Sequence, residues 1–167
     1  VYDSSDPTRI PRVLEALGRA WEGQPDLTLT ALMGILANRG VGWGASDGEL
    51  VEALAALERE HPSLLEAHPS DHLSIATVSP DLRITLAAGI AVVRAAREGS
   101  VMPSVWPYSS LRRTGPGRPL VVRDTEDIEH RLGVVELITR FDPHDAPPLE
   151  GVDRRGTDGA RWLVLLE

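Results

Sequence analysis

Cysteine and lysine are both missing from this 167-residue chain. Without cysteine there is no disulfide, no zinc–thiolate site and no thiol nucleophile, a composition that fits a reducing cytoplasm. Without lysine there is no Schiff base, no phosphate-loop lysine and no lysine general base; all 17 basic side chains are Arg. We read the arginine-only usage mainly as the coding bias of a GC-rich genome. Aromatics are scarce, with four Trp, two Tyr and one Phe, so the core must be built from Leu, Val, Ile and Ala. No apolar run approaches the ~20 residues of a membrane span, and no leader signature is visible, which argues against a membrane partner. Gly-x-Ser-x-Gly is absent, and Gly115-x-Gly117 lacks the strand and helix that frame a dinucleotide fingerprint. No catalytic residue and no cofactor is assigned. The chain starts at Val1 and ends in the apolar run Trp162-Leu163-Val164-Leu165-Leu166-Glu167, the pattern expected of a piece trimmed from a longer parent.

What is present reads first as three helices. Thr8 is the expected N-cap of the first, with Pro11 in the opening turn and Ile10, Val13, Leu14, Leu17 and Trp21 on one face. Gln24-Pro25-Asp26 ends it and caps a second helix carrying Leu29, Leu32, Met33 and Leu36, for which Gly40 is the stop. After the loop 39–45, Ser46 and Glu49 form a capping box for a third helix with Leu50, Val51, Leu54 and Leu57 inward, closed by His61-Pro62.

Residues 63–78 suggest a short hairpin around Pro69-Ser70-Asp71, and Ser79-Pro80-Asp81 a start signal for a long helix through Leu82, Leu86, Ile90 and Val93 to Gly99. PDLTLTALMGI (25–35) and PDLRITLAAGI (80–90) then read as two helices with the same cap chemistry. The expected fold class is α+β: a winged-helix-like head over 1–99, a Pro- and Arg-rich loop over 100–119, and a small α/β segment over 120–167, cut short at its end. Within that segment we expect strands at 120–123, 134–141 and 160–166, a short helix at 125–132, and a long connection at 142–159.

Arg9-Ile10, Val13, Glu15, Ala20-Trp21, Pro25-Asp26-Leu27, Leu29 and Leu36-Ala37, with Ser46-Asp47-Gly48-Glu49-Leu50 later, resemble the YihD-like family of small bacterial proteins. The resemblance covers residues 9–57, with Ala-Trp…Pro-Asp-Leu as its most specific part. It implies a helical fold; the family brings no activity, substrate or cofactor to carry over, and the chain beyond His61 has no counterpart in it.

The candidate site comes from charge. The chain carries a net −8, yet residues 100–123 hold Arg112, Arg113, Arg118 and Arg123 and no acid, together with Trp106, Tyr108 and a Gly115-Pro116-Gly117 turn. Guanidinium forks pair with carboxylate or phosphate, and aromatics fill a partner's pocket or stack on bases. The expected contact is Trp106, Tyr108, Arg112, Arg113 and Arg118; the alternative is a solvated loop whose arginines meet the chain's own acids. Gly117-Arg118-Pro119 also matches the centre of an AT-hook, without its flanking Pro-Arg. The third helix carries Asp47, Glu49, Glu52, Glu58 and Glu60 against Arg59 alone, which would repel a DNA duplex. Weak metal candidates are His61, His68, Asp71 and His72, with Asp142-Pro143-His144-Asp145 a second such loop; Glu126 and Glu129 read as a solvated face.

The expected function is therefore a cytoplasmic, non-enzymatic interaction module that docks on a protein partner or complex. A nucleic-acid-associated protein using the same arginines is the first alternative, and a metal-dependent hydrolase built on the histidine loops the second.

Overall fold

A computed structural model of the chain describes residues 6–96 and 102–142. Three helices come first: α1 (Arg9–Glu22), α2 (Leu29–Asn38) and α3 (Asp47–Glu60). Their ends follow local chemistry. The Thr28 hydroxyl accepts the Ala31 N–H, so Thr28, rather than Pro25-Asp26, caps α2. At the other end of α2, Gly40 at φ +92° lets its own N–H reach Ala37 O and the Val41 N–H reach Leu36 O, a Schellman turn. The Ser46–Glu49 capping box opens α3 as expected. Thr8 precedes α1, but its hydroxyl donates to the Asp6 carboxylate instead of capping.

The helical core is Ala16, Ala20, Leu32, Leu36, Leu54 and Leu57. Small residues let α1 lie against α3, so α1 turns its alanines inward and leaves Ile10, Leu14 and Trp21, three of the five expected core residues, exposed. No helix among the described residues is long and apolar enough to cross a membrane.

The remainder overturns the winged-helix expectation. Six antiparallel strands follow: β1 (Leu73–Val78), β2 (Leu82–Ala87), β3 (Ile90–Ala95), β4 (Ser104–Leu111), β5 (Pro119–Asp124) and β6 (Glu129–Arg140). Each pairs with the next, and β6 closes on β1, so the sheet is a sealed barrel and not an α/β layer. The expected long helix from Asp81 is a hairpin. Leu82, Ile84 and Leu86 alternate along β2, with Ile84 and Leu86 fully buried, and β-branched Ile84 and Thr85 favour the strand. Ala88 and Gly89, at φ +48° and +77°, make the two-residue turn that joins Ala87 to Ile90. Ser79-Pro80-Asp81 is the bend between β1 and β2. No hairpin centres on Pro69; only its second half, β1, is a strand, and it pairs with β2 and β6. The expected helix at 125–132 is a turn over 125–128 followed by the start of β6, and the expected loop at 100–119 contains β4. The strand at 120–123 is found inside β5, and β6 covers the strand expected at 134–141 as far as Arg140. Gly99, the strand at 160–166, Asp142-Pro143-His144-Asp145 beyond Asp142, and the connection beyond residue 142 lie outside the described residues.

Leu73, Ile75, Ile84, Leu86, Leu111, Leu120, Val122, Val135 and Ile138 fill the barrel. The packed interior follows from alternation along β1 and β2, while β6 turns Leu132, Val135 and Ile138 inward at every third position.

The chain between helices and barrel is held on both sides. A Cβ on Gly23, after α1, would collide with the carbonyl oxygen of His61, and one on Gly115 with that of Ser63. Leu65 and Thr114 exchange backbone hydrogen bonds, the His61 Nδ1–H donates to Ile138 O at 3.1 Å, and Arg140 donates to Arg59 O at 3.1 Å. Replacing Gly115 with Ala is therefore expected to cost about 3 kcal/mol and about 10 °C in Tm. Gly34→Ala, in open space on exposed α2, is the contrast and should gain up to about 1 kcal/mol. Thermal unfolding of the two variants checks both signs.

Candidate functional site

The five residues expected to form a contact share one strand and its continuation. β4 alternates, with Trp106 and Tyr108 half-buried against the barrel core and Val105, Pro107 and Ser109 outward. Trp106 stacks on His130 at the start of β6, ring centroids 4.2 Å apart and planes at 27°. One face of the indole is thus committed to its own barrel. Burial pushes the Tyr108 hydroxyl above its ordinary pKa.

Beyond β4 the chain turns through Thr114–Gly117 into β5. Thr114 is fully buried and donates to Pro119 O at 2.9 Å, while Gly117, at φ +78°, takes the conformation a tight turn needs. Arg112, Arg113 and Arg118 project from this corner and are exposed. Two of them already hold carboxylates. Arg112 forks onto both Glu129 oxygens at 2.9 Å, and Arg113 Nε lies 3.1 Å from Glu66. Arg123 joins Glu129 as well, at 3.1 Å, and also Asp127 at 2.9 Å. Hydrogen bonds from Arg112 and then Arg123 hold the Glu129 carboxyl below its ordinary pKa. Arg118 has no ion pair or side-chain hydrogen bond among the described residues.

The alternative of arginines meeting the chain's own acids is thus realised for Arg112, Arg113 and Arg123, though the sequence did not say which acids. Glu129 is the anchor of two arginines and not part of a solvated helix face. Asp124 and His130 also pair, Nε2 to Oδ2 at 2.8 Å, across the β5–β6 turn. Asp124 Oδ1 accepts the N–H groups of Glu126 and Ile128, so a single carboxylate organises the whole turn. The six-residue spacing from Asp124 to His130 becomes a pairing signal only once a hairpin is recognised there.

The structure disperses the metal candidates. His61 faces Ile138 O, and His72 tilts against Phe141 with centroids 5.8 Å apart. Asp71 lies 2.9 Å from Arg140 Nε, a coulombic contact out of line for a hydrogen bond. His68, its Nδ1 3.3 Å from Ser109 O, lines with Ser70, Asp71, Gly89 and Tyr108 a shallow cleft of about 260 Å³. No grouping of three or more metal-ligating side chains occurs among the described residues. Comparisons with family models, curated proteins and solved structures returned no match.

Three hydrogen bonds to the Asp124 carboxylate, that from His130 first, hold its pKa below the ordinary 3.8. A depressed folded-state pKa gives stability that is present above the unfolded value and lost as pH falls through the folded one. Asp124→Asn should therefore lower Tm at neutral pH, and its deficit relative to the parent should shrink below about pH 4. Thermal melts from pH 7 to 3 read the difference directly.

Proposed function

We propose that this chain is a non-enzymatic interaction module of the cytoplasm, docking on an acidic protein surface through the β4–β5 corner. The observation that carries the reading is the exposed trio Arg112, Arg113 and Arg118 on an acidic chain, with Arg118 unpaired among the described residues. The side chains of Arg112 and Arg113 are 60% and 62% exposed even in their ion pairs. An isolated exposed pair such as Arg113–Glu66 is weak, so a partner's carboxylate can replace Glu66 at little cost, whereas Glu129, forked by Arg112 and shared with Arg123, is held more firmly. Trp106 supports the corner from within, and Tyr108 sits at its edge. Among the described residues the sheet closes on itself as a barrel, which favours recognition by side chains over strand addition.

The test is affinity capture from the native host, with parent and Arg112→Ala/Arg113→Ala/Arg118→Ala chains compared by mass spectrometry. A protein partner bound by the parent and weakened at least ~10-fold by the triple change fits the proposal. Identical captures from both chains contradict it. If the captured species is nucleic acid, with affinity falling roughly 40-fold between 50 and 200 mM salt as three arginine–phosphate contacts require, phosphate is the target instead.

A further inference from the structure

Among the described residues, α1 carries an apolar stripe that stays exposed. Ile10 is 51% exposed and Leu14 60%; with Gly18 and Trp21 they fall within about 80° of one another around the helix. Gly18 is a notch in this ridge, because a Cβ there would meet no atom within 4 Å. Beside the notch lies a groove of about 290 Å³ lined by Gly18, Trp21, Glu22 and Pro25. Its aromatic wall is fixed, since the Trp21 indole N–H donates to Leu27 O at 2.7 Å.

We propose that this face binds a second copy of the chain, α1 against α1 in antiparallel two-fold symmetry, with Leu14 of each seated in the Gly18 notch of the other. Knob and notch lie one turn apart on one stripe, about 6 Å along the axis. A two-fold axis midway between them makes both contacts at once, as an isologous interface requires. The same axis brings Ile10 level with Glu22 of the partner helix, at the mouth of the groove between Trp21 and Pro25. Antiparallel pairing also sets the two helix dipoles favourably side by side, while Arg9 and Arg12 keep their own ion pairs with Asp47 and Asp6. An unrelated apolar partner would need only the ridge; the matched notch on the same stripe favours self-association. One helix face is small beside a standard interface of about 800 Å² per partner, so a reversible dimer is expected, half-formed at roughly 10–100 µM.

Sedimentation equilibrium of the full chain tests this with three variants. Gly18→Leu fills the notch and Leu14→Gly removes the knob; each should weaken dimerisation at least ~10-fold. The double change Leu14→Gly/Gly18→Leu exchanges knob and notch and should restore the parent's equilibrium to within about threefold. Far-ultraviolet circular dichroism on the same samples confirms that the helices persist, since neither site touches the helical core. A parent that stays monomeric to about 300 µM overturns the proposal. A dimer that ignores the single changes overturns it too, because another face would then be responsible. Loss in the single variants without recovery in the double overturns the antiparallel register.

Discussion

Helices and barrel have separate cores, and the fold depends on how the chain between them is gripped. Residues 61–65 pass between Gly23 on the helical side and Gly115 on the barrel side, with carbonyl oxygens where either glycine's Cβ would stand. Steric exclusion there is absolute in a way that a surface ion pair is not. The backbone bridge from Leu65 to Thr114 and the His61 and Arg140 bonds to the opposite element add direction to that contact. Gly115 also begins the turn that carries Arg118, so the joint that seats the helices and the corner that displays the guanidiniums are one piece of structure.

That placement gives the electrostatics their meaning. An arginine-rich, acid-free segment on a chain of net charge −8 invites its own acids, and Glu66 and Glu129 answer from distant points in the sequence. The pairing neutralises part of the corner without burying it. Asp124 acts differently, as a half-buried carboxylate whose three hydrogen bonds shape a turn and hold the imidazole against Trp106. One acid there is structural, and the others are exchangeable counter-ions.

The helical third was legible because its signals are local. Ser46, Glu49 and Gly40 act within four residues of themselves, and the periodicity of Leu32, Leu36, Leu54 and Leu57 points to one core. Even there the orientation of α1 was not: its largest apolar residues face out because alanine, not leucine, sets the spacing to α3. The barrel was misread because strand pairing is non-local. PDLTLTALMGI and PDLRITLAAGI illustrate it. In the first, Thr28 caps a helix and Gly34 sits inside it; in the second, Arg83 replaces the cap and Gly89 makes a turn at φ +77°. The second then finds β1 and β3 on either side, and Ile84 is buried between Ile75 and Val93. Tertiary partners decide between two conformations that the shared letters leave open. The candidate site was half legible for the same reason: its arginines cluster in sequence, whereas Glu129 and the His130 beneath Trp106 arrive through the pairing of β4, β5 and β6, and Glu66 from the chain before the barrel.

If the grip on residues 61–65 is the organising constraint, helices and barrel move as one body. Backbone ¹⁵N relaxation measures this most directly. The account predicts that amides of α1–α3 and of β1–β6 fit a single rotational diffusion tensor, with the Leu65 and Thr114 amides as rigid as the strands. Two different correlation times, one for the helices and one for the barrel, would contradict it.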